Sequence, residues 1–457
     1  MDSLVHKDSF LSKQSKNHYL SPSNLSRYQF YNPYKMKEEF LHYIWQFKKF
    51  DFTNLKTVQG ESLTIANSGQ YLQKAGPDFF NAQIVIGTQK WAGNVEIHLK
   101  SSDWYVHHHE TDLNYESVIL HVVWEHDTEV FRKDNSEIPV LELKNYIPKK
   151  IIENYNALAV AKSWINCEKE IQNIDHFVFK NWQEKLFFER LQRKVEPIQE
   201  LLSETENDWE AVLFCLLSKN FGLNTNGEIF AKVAKSIPFS IIRKESAEFL
   251  TIEALLFGRS GLLEKDNEDN YFKDLKSHWT YIQNKYHLEK IIIEPIQFFK
   301  HRPDNFPTIR LAQLSQLYFL RRNLFSLILE AKSLSNFYEI FNVQVSDYWK
   351  THYQFDKKSP KKRKALTNSF IDLLLINTII PLKFSYANSQ GKDISEELVA
   401  LLHEIPAEKN VIIEKFGSFG IDSKNAFETQ SLLQLKNEYC NYKKCMSCAV
   451  GMELMKT

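Results

Sequence analysis

The chain has 457 residues, 43% of them hydrophobic and 25% charged, with 33 Phe, 20 Tyr and 9 Trp against only 13 Gly and 13 Pro. That length exceeds what one core organises, so two or three domains are expected, and the composition excludes a mostly disordered or collagen-like chain. Lys plus Arg equal Asp plus Glu at 57 each, which excludes a uniformly basic nucleic-acid coat but leaves room for a locally charged groove.

Residues 1–35 are polar, rich in Ser, Asn, Lys and Tyr, and read as a flexible tail. Met36 opens MKEEFLHYIWQF, where Phe40, Leu41, Ile44, Trp45 and Lys48 follow helical spacing. Short alternating or apolar runs then predict strands at Ser62 to Ala66, Asn81 to Gly87, Gly93 to Ser101, Ser117 to Trp124 and Ile138 to Leu143, together one mixed sheet beside that helix. This α/β domain spans 36–150. Beyond Pro148 the pattern becomes helical at Asp175 to Leu202, Asp208 to Phe221, Gly227 to Ser236, Ser246 to Phe257, Phe272 to Tyr286, Ile309 to Leu334 and Lys364 to Ile379. An all-helical domain is therefore expected over 151–457, and the fold class is α+β. The apolar stretch Phe370 to Phe384 is interrupted by Asp372, Asn377, Thr378 and Pro381 and reads as a buried helix ending before that proline. With no secretory leader and no run of spanning length, a cytoplasmic protein without a membrane partner is expected.

Chemistry concentrates in AGPDFFNAQIVIGTQKWAGNVEIHLKSSDW, residues 75–104. Pro77 and Asp78 stand at the mouth of one strand and Glu96 inside the next, with a turn containing Gly87 and Gly93 between them. Alternation puts Glu96, His98 and Lys100 on one face and Val95, Ile97 and Leu99 on the other, the core side. Two readings follow. Either Asp78 and Glu96 offer hard oxygens to a divalent ion such as Mg²⁺ or Mn²⁺, with His98 or Lys100 assisting catalysis, or the strand simply turns a polar face to solvent.

Pro77-Asp78 followed by Glu96 resembles the PD-(D/E)XK nuclease signature. The resemblance implies a nuclease-like core and cleavage of phosphodiester bonds in DNA or RNA. That family expects a lysine two residues after the second acid; here His98 stands there, and Lys100 lies two further along the same face. A non-catalytic nucleic-acid-binding or adaptor protein that keeps the fold is the alternative. Glu142-Leu-Lys144 has the literal spacing but no Pro-Asp upstream. More broadly, GPDFFNAQI, GNVEIHLKSSDW, YESVILHVVW, RPDNFPTIRLAQL, LLINTIIPL, IPAEKN and YCNYKKCMSC are similar to a bacterial family known as domain of unknown function 2851.

Six of the 15 histidines, His98, His107, His108, His109, His121 and His126, fall within one short stretch. Histidine binds transition metals and works as a base near neutral pH, and the run after Trp104, with Asp112, could overhang the acidic strand. At least one of the group is expected to have a functional role, with His107, His109 and His121 candidates for contact with nucleic acid; the alternatives are surface histidines with His121 satisfied inside the sheet, and a hydrolase that holds zinc through the cluster. Arg302 and Arg310 flank a turn that feeds a helix, with Thr308 as its cap; they either bind phosphate at that helix start or anchor the loop. The basic run Lys357 to Lys364 reads as a solvated loop. Finally, Cys440-x4-Cys445-x2-Cys448 is compact enough for three sulfurs to converge on a metal, with Cys167 as the fourth ligand and Cys215 in the core. One remote cysteine plus a C-terminal trio is similar to the iron–sulfur staple of some PD-(D/E)XK nucleases, which implies a 4Fe-4S cluster; structural zinc and unligated thiols remain the alternatives.

Overall fold

The computed structural model describes residues 36–71, 76–160, 163–299 and 301–456, so the tail expected over residues 1–35 lies outside it. The fold is mixed α+β, a sheet followed by a helical region, and it divides after Lys149 into two compact units.

The first unit opens with α1 (Glu38–Gln46), whose Phe40, Leu41, Ile44 and Trp45 are fully buried, as the 3.6-residue spacing demands. A sheet follows from β1 (Leu55–Lys56), β2 (Ser62–Asn67), β3 (Gln70–Tyr71), β4 (Phe79–Ile86), β5 (Gln89–Lys100), β6 (Val118–Glu125) and β7 (Val140–Glu142). Its order is β1-β2-β4-β5-β6-β7, with β3 also pairing with β4. Pairing is antiparallel as far as β5 and parallel from β5 to β6 to β7. The reversal needs a crossover, which the short helix α2 (Asp103–Val106) and the turn after it supply. β4 and β5 form the expected hairpin, but Gly93 lies inside β5 rather than in the turn. A Cβ there would come 2.5 Å from Ile119 Cγ2 and 2.6 Å from the Ser117 carbonyl, so only glycine lets β5 lie against the start of β6.

The second unit is helical apart from a small hairpin, His352–Gln354 with Lys357–Lys358, which corrects the all-helical expectation. The basic run is likewise only partly solvated: Lys364 is buried and gives its ammonium to the Trp349 and His352 carbonyls. Asp175 and Asp208 cap the helices His176–Glu204 and Trp209–Phe221 by accepting first-turn amides. The run read as one helix from Ile309 to Leu334 is instead Pro307–Leu320, Leu324–Glu330 and Leu334–Ile340, because hydrophobic periodicity does not register the breaks at Arg321 and Ala331. Thr308 does not cap the first of these; it is buried inside it and donates to the Tyr353 carbonyl at 2.6 Å.

Nor does the apolar helix stop before Pro381. It runs through Asn368–Leu374, a π-helical stretch Leu375–Ile379, and Ile380–Ser389. The wider π turn takes up the missing amide and the ring of Pro381, and Lys194 Nζ, at 3.0 Å, occupies the Ile376 carbonyl. Among the described residues this is the one helix long and apolar enough to cross a membrane, and 72% of its apolar window is buried within the fold.

Candidate metal centre

Asp78, just before β4, and Glu96, in β5, face each other across the hairpin. Glu96 Oε2 accepts the Asp78 amide at 3.1 Å, and Asp78 Oδ2 accepts the Ile97 amide at 3.0 Å. A bulge with Asn81 at φ +57° shifts the register between Phe79 and Ala82, close to where the two acids meet. His42 of α1 closes one side, its Nε2 3.1 Å from Asp78 Oδ2 and its Nδ1 3.2 Å from the Tyr71 hydroxyl.

The Glu96 and His98 face is not open to solvent. Both side chains are buried, because α2 and the turn after it fold over that face. The turn is a Schellman motif. His109 N bonds the Trp104 carbonyl at 3.0 Å, His108 N bonds the Tyr105 carbonyl at 3.2 Å, and His108 takes the left-handed conformation at φ +61°. Three consecutive histidines thereby diverge: His108 points outward, while His107 and His109 turn in toward His98.

The resulting geometry is compact. One nitrogen from each of His98, His107 and His109 lies within 4.8 Å of the other two. Glu96 Oε1 is 3.5 Å from His98 Nε2 and 3.4 Å from His109 Nε2, and His107 Nδ1 is 3.0 Å from His98 Nε2. A tetrahedral ion with metal–nitrogen bonds of about 2.0–2.1 Å holds its ligand atoms roughly 3.3 Å apart, so the three histidines could close on such an ion with Glu96 beside two of them. Behind them His121, level with Glu96 in the parallel register, places Nε2 2.8 Å from His98 Nδ1. If His98 Nε2 binds a metal, its Nδ1 carries the proton and donates to His121; that support fixes the ring.

Burial and the nearby Asp78 charge push the Glu96 carboxyl up to about 9. Burial holds His98 far below its ordinary value and His121 down at about 3. His42 goes the other way: burial pulls it down, but the hydrogen bond and charge of Asp78 more than offset this. Burial is the leading cause at Glu96, His98 and His121 alike: each is held toward its uncharged form because the sheet and α2 exclude water.

The remaining candidates fall elsewhere. Lys100 is not at the centre; its side chain is half exposed and pairs with Asp127 at 3.9 Å. His121 is fully buried and so is a support, not a nucleic-acid contact. Of the histidines proposed for such contact, His107 is exposed and His109 half-buried, stacked on Tyr115 at 3.7 Å. Glu142 and Lys144 pair with each other at 2.7 Å.

In the second unit Arg302 is exposed, but Arg310 is buried and committed. It donates to Asn305 Oδ1 and Gln313 Oε1 at 2.6 and 3.0 Å and lies 3.7 Å over the Phe370 ring, which corrects its phosphate role. Cys167, Cys440, Cys445 and Cys448 line one cavity, whereas Cys215 belongs to the main helical core.

Sequence reasoning missed His42 and, although it allowed the His107 to His109 run to overhang the acidic strand, did not tell which of the three turn in. His42 shares α1 with core residues, and no spacing rule links it to Asp78. The convergence depends on His108 turning left-handed.

The family model described as protein of unknown function, DUF2851, matches residues 38–411. The chain belongs to this family. The match takes in α1, the sheet, every residue of the acid and histidine centre and most of the helical unit, and ends before Cys440. No curated protein and no solved structure matches the chain.

Proposed function

We propose that this DUF2851 protein is a metal-dependent phosphodiesterase of the nuclease type. The observation that carries the reading is Glu96 Oε1 standing within 3.5 Å of both His98 and His109, with Asp78 just before the adjoining strand. Glu96, His98, His107 and His109 are the ligands and Asp78 the second acid. Imidazole-rich sets favour Zn²⁺ or Mn²⁺ over Mg²⁺, which prefers oxygen alone. A divalent ion held by these residues would supply a bound water of lowered pKa and positive charge against the phosphoryl oxygens.

The protein's own residues do the rest. His42 holds Asp78, and His121 fixes the His98 ring. His107 is exposed where His98 is buried, so it is the ligand candidate that a phosphodiester would meet first. The resemblance of Pro77-Asp78 and Glu96 to the nuclease signature, on two adjacent strands inside the sheet, supports nucleic acid as substrate. The exposed position of Lys100 favours the second reading, an adaptor that binds nucleic acid without cutting it.

The test is cleavage of labelled single- and double-stranded DNA and RNA by the purified full chain with Mn²⁺, Zn²⁺ or Mg²⁺. Cleavage should depend on the metal and be abolished by Asp78→Ala and by Glu96→Ala. Cleavage that survives in both variants would sink the assignment. Binding without cleavage under every metal would establish the adaptor instead.

A further inference from the structure

Four of the five cysteines meet in the helical unit, though Cys167 and the C-terminal trio lie at opposite ends of it. Cys167 sits in a tight turn, its carbonyl accepting the Glu170 and Ile171 amides at 3.1 and 2.9 Å. Cys440 ends the π-helical stretch Leu435–Cys440. The chain then reverses: Lys443 is left-handed at φ +55°, and Lys444 N returns to the Tyr439 carbonyl at 3.0 Å. The 3-10 turn Cys445–Ser447 brings Cys448 to the start of the last helix. All four side chains line a cavity of about 20 Å³, walled by Leu158, Leu435 and Val450.

None of the four forms a disulfide. Donors are aimed at the sulfurs instead: the Val450 and Gly451 amides at Cys448, and Asn166 Nδ2 at 3.5 Å from Cys445 Sγ. The backbone is fitted closely around them, since a Cβ on Gly451 would lie 2.1 Å from the Cys445 carbonyl. Lys444 also lines the cavity, and Lys436 lies close enough to Cys440 to act on its charge. Converging sulfurs, N–H donors and nearby ammonium groups suit thiolates bound to metal rather than a packed core.

We propose that Cys167, Cys440, Cys445 and Cys448 bind a 4Fe-4S cluster. Sulfur spacing argues against a single zinc ion. Zinc–sulfur bonds of about 2.3 Å draw four thiolates to roughly 3.8 Å from one another. Among the described residues, three ligand atoms lie mutually within 4.8 Å in the histidine group, while no three of these sulfurs do. A cubane fills the middle with its own iron and sulfide, so its four cysteine ligands stand further apart around a central space. Cys167 lies inside the family match and the trio beyond its end, and the site is independent of the phosphodiesterase reading.

The full chain should be purified without oxygen, or reconstituted with Fe²⁺ and sulfide, and assayed for iron, acid-labile sulfide, zinc and visible charge-transfer absorbance. The expected result is about four irons and four sulfides per chain with cluster absorbance. Both should be lost in Cys167→Ser and Cys445→Ser and kept in Cys215→Ser. One zinc per chain, or no iron after reconstitution of the wild type, would overturn the cluster. So would a Cys167→Ser variant that keeps its full complement. The wild-type stoichiometry and spectrum decide the matter even if a variant fails to fold.

Discussion

Glu253 is fully buried in the helical unit, with its carboxyl accepting from Trp349 Nε1 and, at 2.9 Å, from the Tyr271 hydroxyl. Two neutral donors do not replace water around a charge, and burial raises this carboxyl to about 7. The protonated form is favoured in the folded state. Its contribution is therefore fully present below the unfolded value of 4.5 and is lost as pH rises toward 7. Glu253→Gln keeps the size and an acceptor for Trp349, and Tyr271 can turn its proton to Ser346 Oγ, 3.3 Å away. The variant should gain on the wild type by about 3 kcal/mol between pH 4.5 and 7.5, read from urea unfolding at several pH values. A gap that does not change with pH would mean that the native carboxylate is ionised after all.

At the scale of elements, the centre depends on how closely β5 can approach β6. Gly93 permits that approach, and it sits three residues from Glu96 on the same strand. Gly93→Ala would drive a methyl into Ile119 and the Ser117 carbonyl. A cost of about 2–4 kcal/mol is expected, as for overpacking that moves backbone. On the proposed metal reading, affinity for the ion should fall as well, because Glu96 and His98 move with the strand while His107 and His109 stay with α2. Calorimetric titration of Mn²⁺ or Zn²⁺ into the variant checks this; unchanged affinity would show that the centre tolerates a displaced β5. The helix through Pro381 makes a related point. A proline ends a helix only where its missing amide and displaced carbonyl find no other arrangement, and here a π turn and the Lys194 ammonium provide one.

For the whole molecule, the cysteine site ties Cys167 to a trio about 270 residues later, and closing so long a loop restricts the unfolded chain strongly. If metal links those ends, its removal should cost the helical unit up to about 5 kcal/mol on a chain-entropy estimate. Chemical denaturation of the reconstituted and the stripped chain, followed by circular dichroism, measures it. Equal midpoints would mean that apolar packing of Trp182, Leu186, Phe416 and Leu432 already holds the C-terminal segment there.

The sequence by itself determined the two-part α+β organisation, α1, the main strands of the sheet, the helical runs that begin at Asp175 and Asp208, and the Asp78 and Glu96 pair across a hairpin. These follow from period, caps and turns, which act over a few residues and leave their mark in local order. Only the tertiary structure decided the histidine centre, since His42, His98, His107 and His109 come from a helix, a strand and a left-handed turn with no shared spacing. It also decided that Lys100 pairs with Asp127 outside the centre, that Arg310 is spent inside the core, and that a proline passes through a helix. Each outcome depends on which distant groups surround a residue, and burial, strand register and the partner of a single carbonyl are set by the packed chain as a whole.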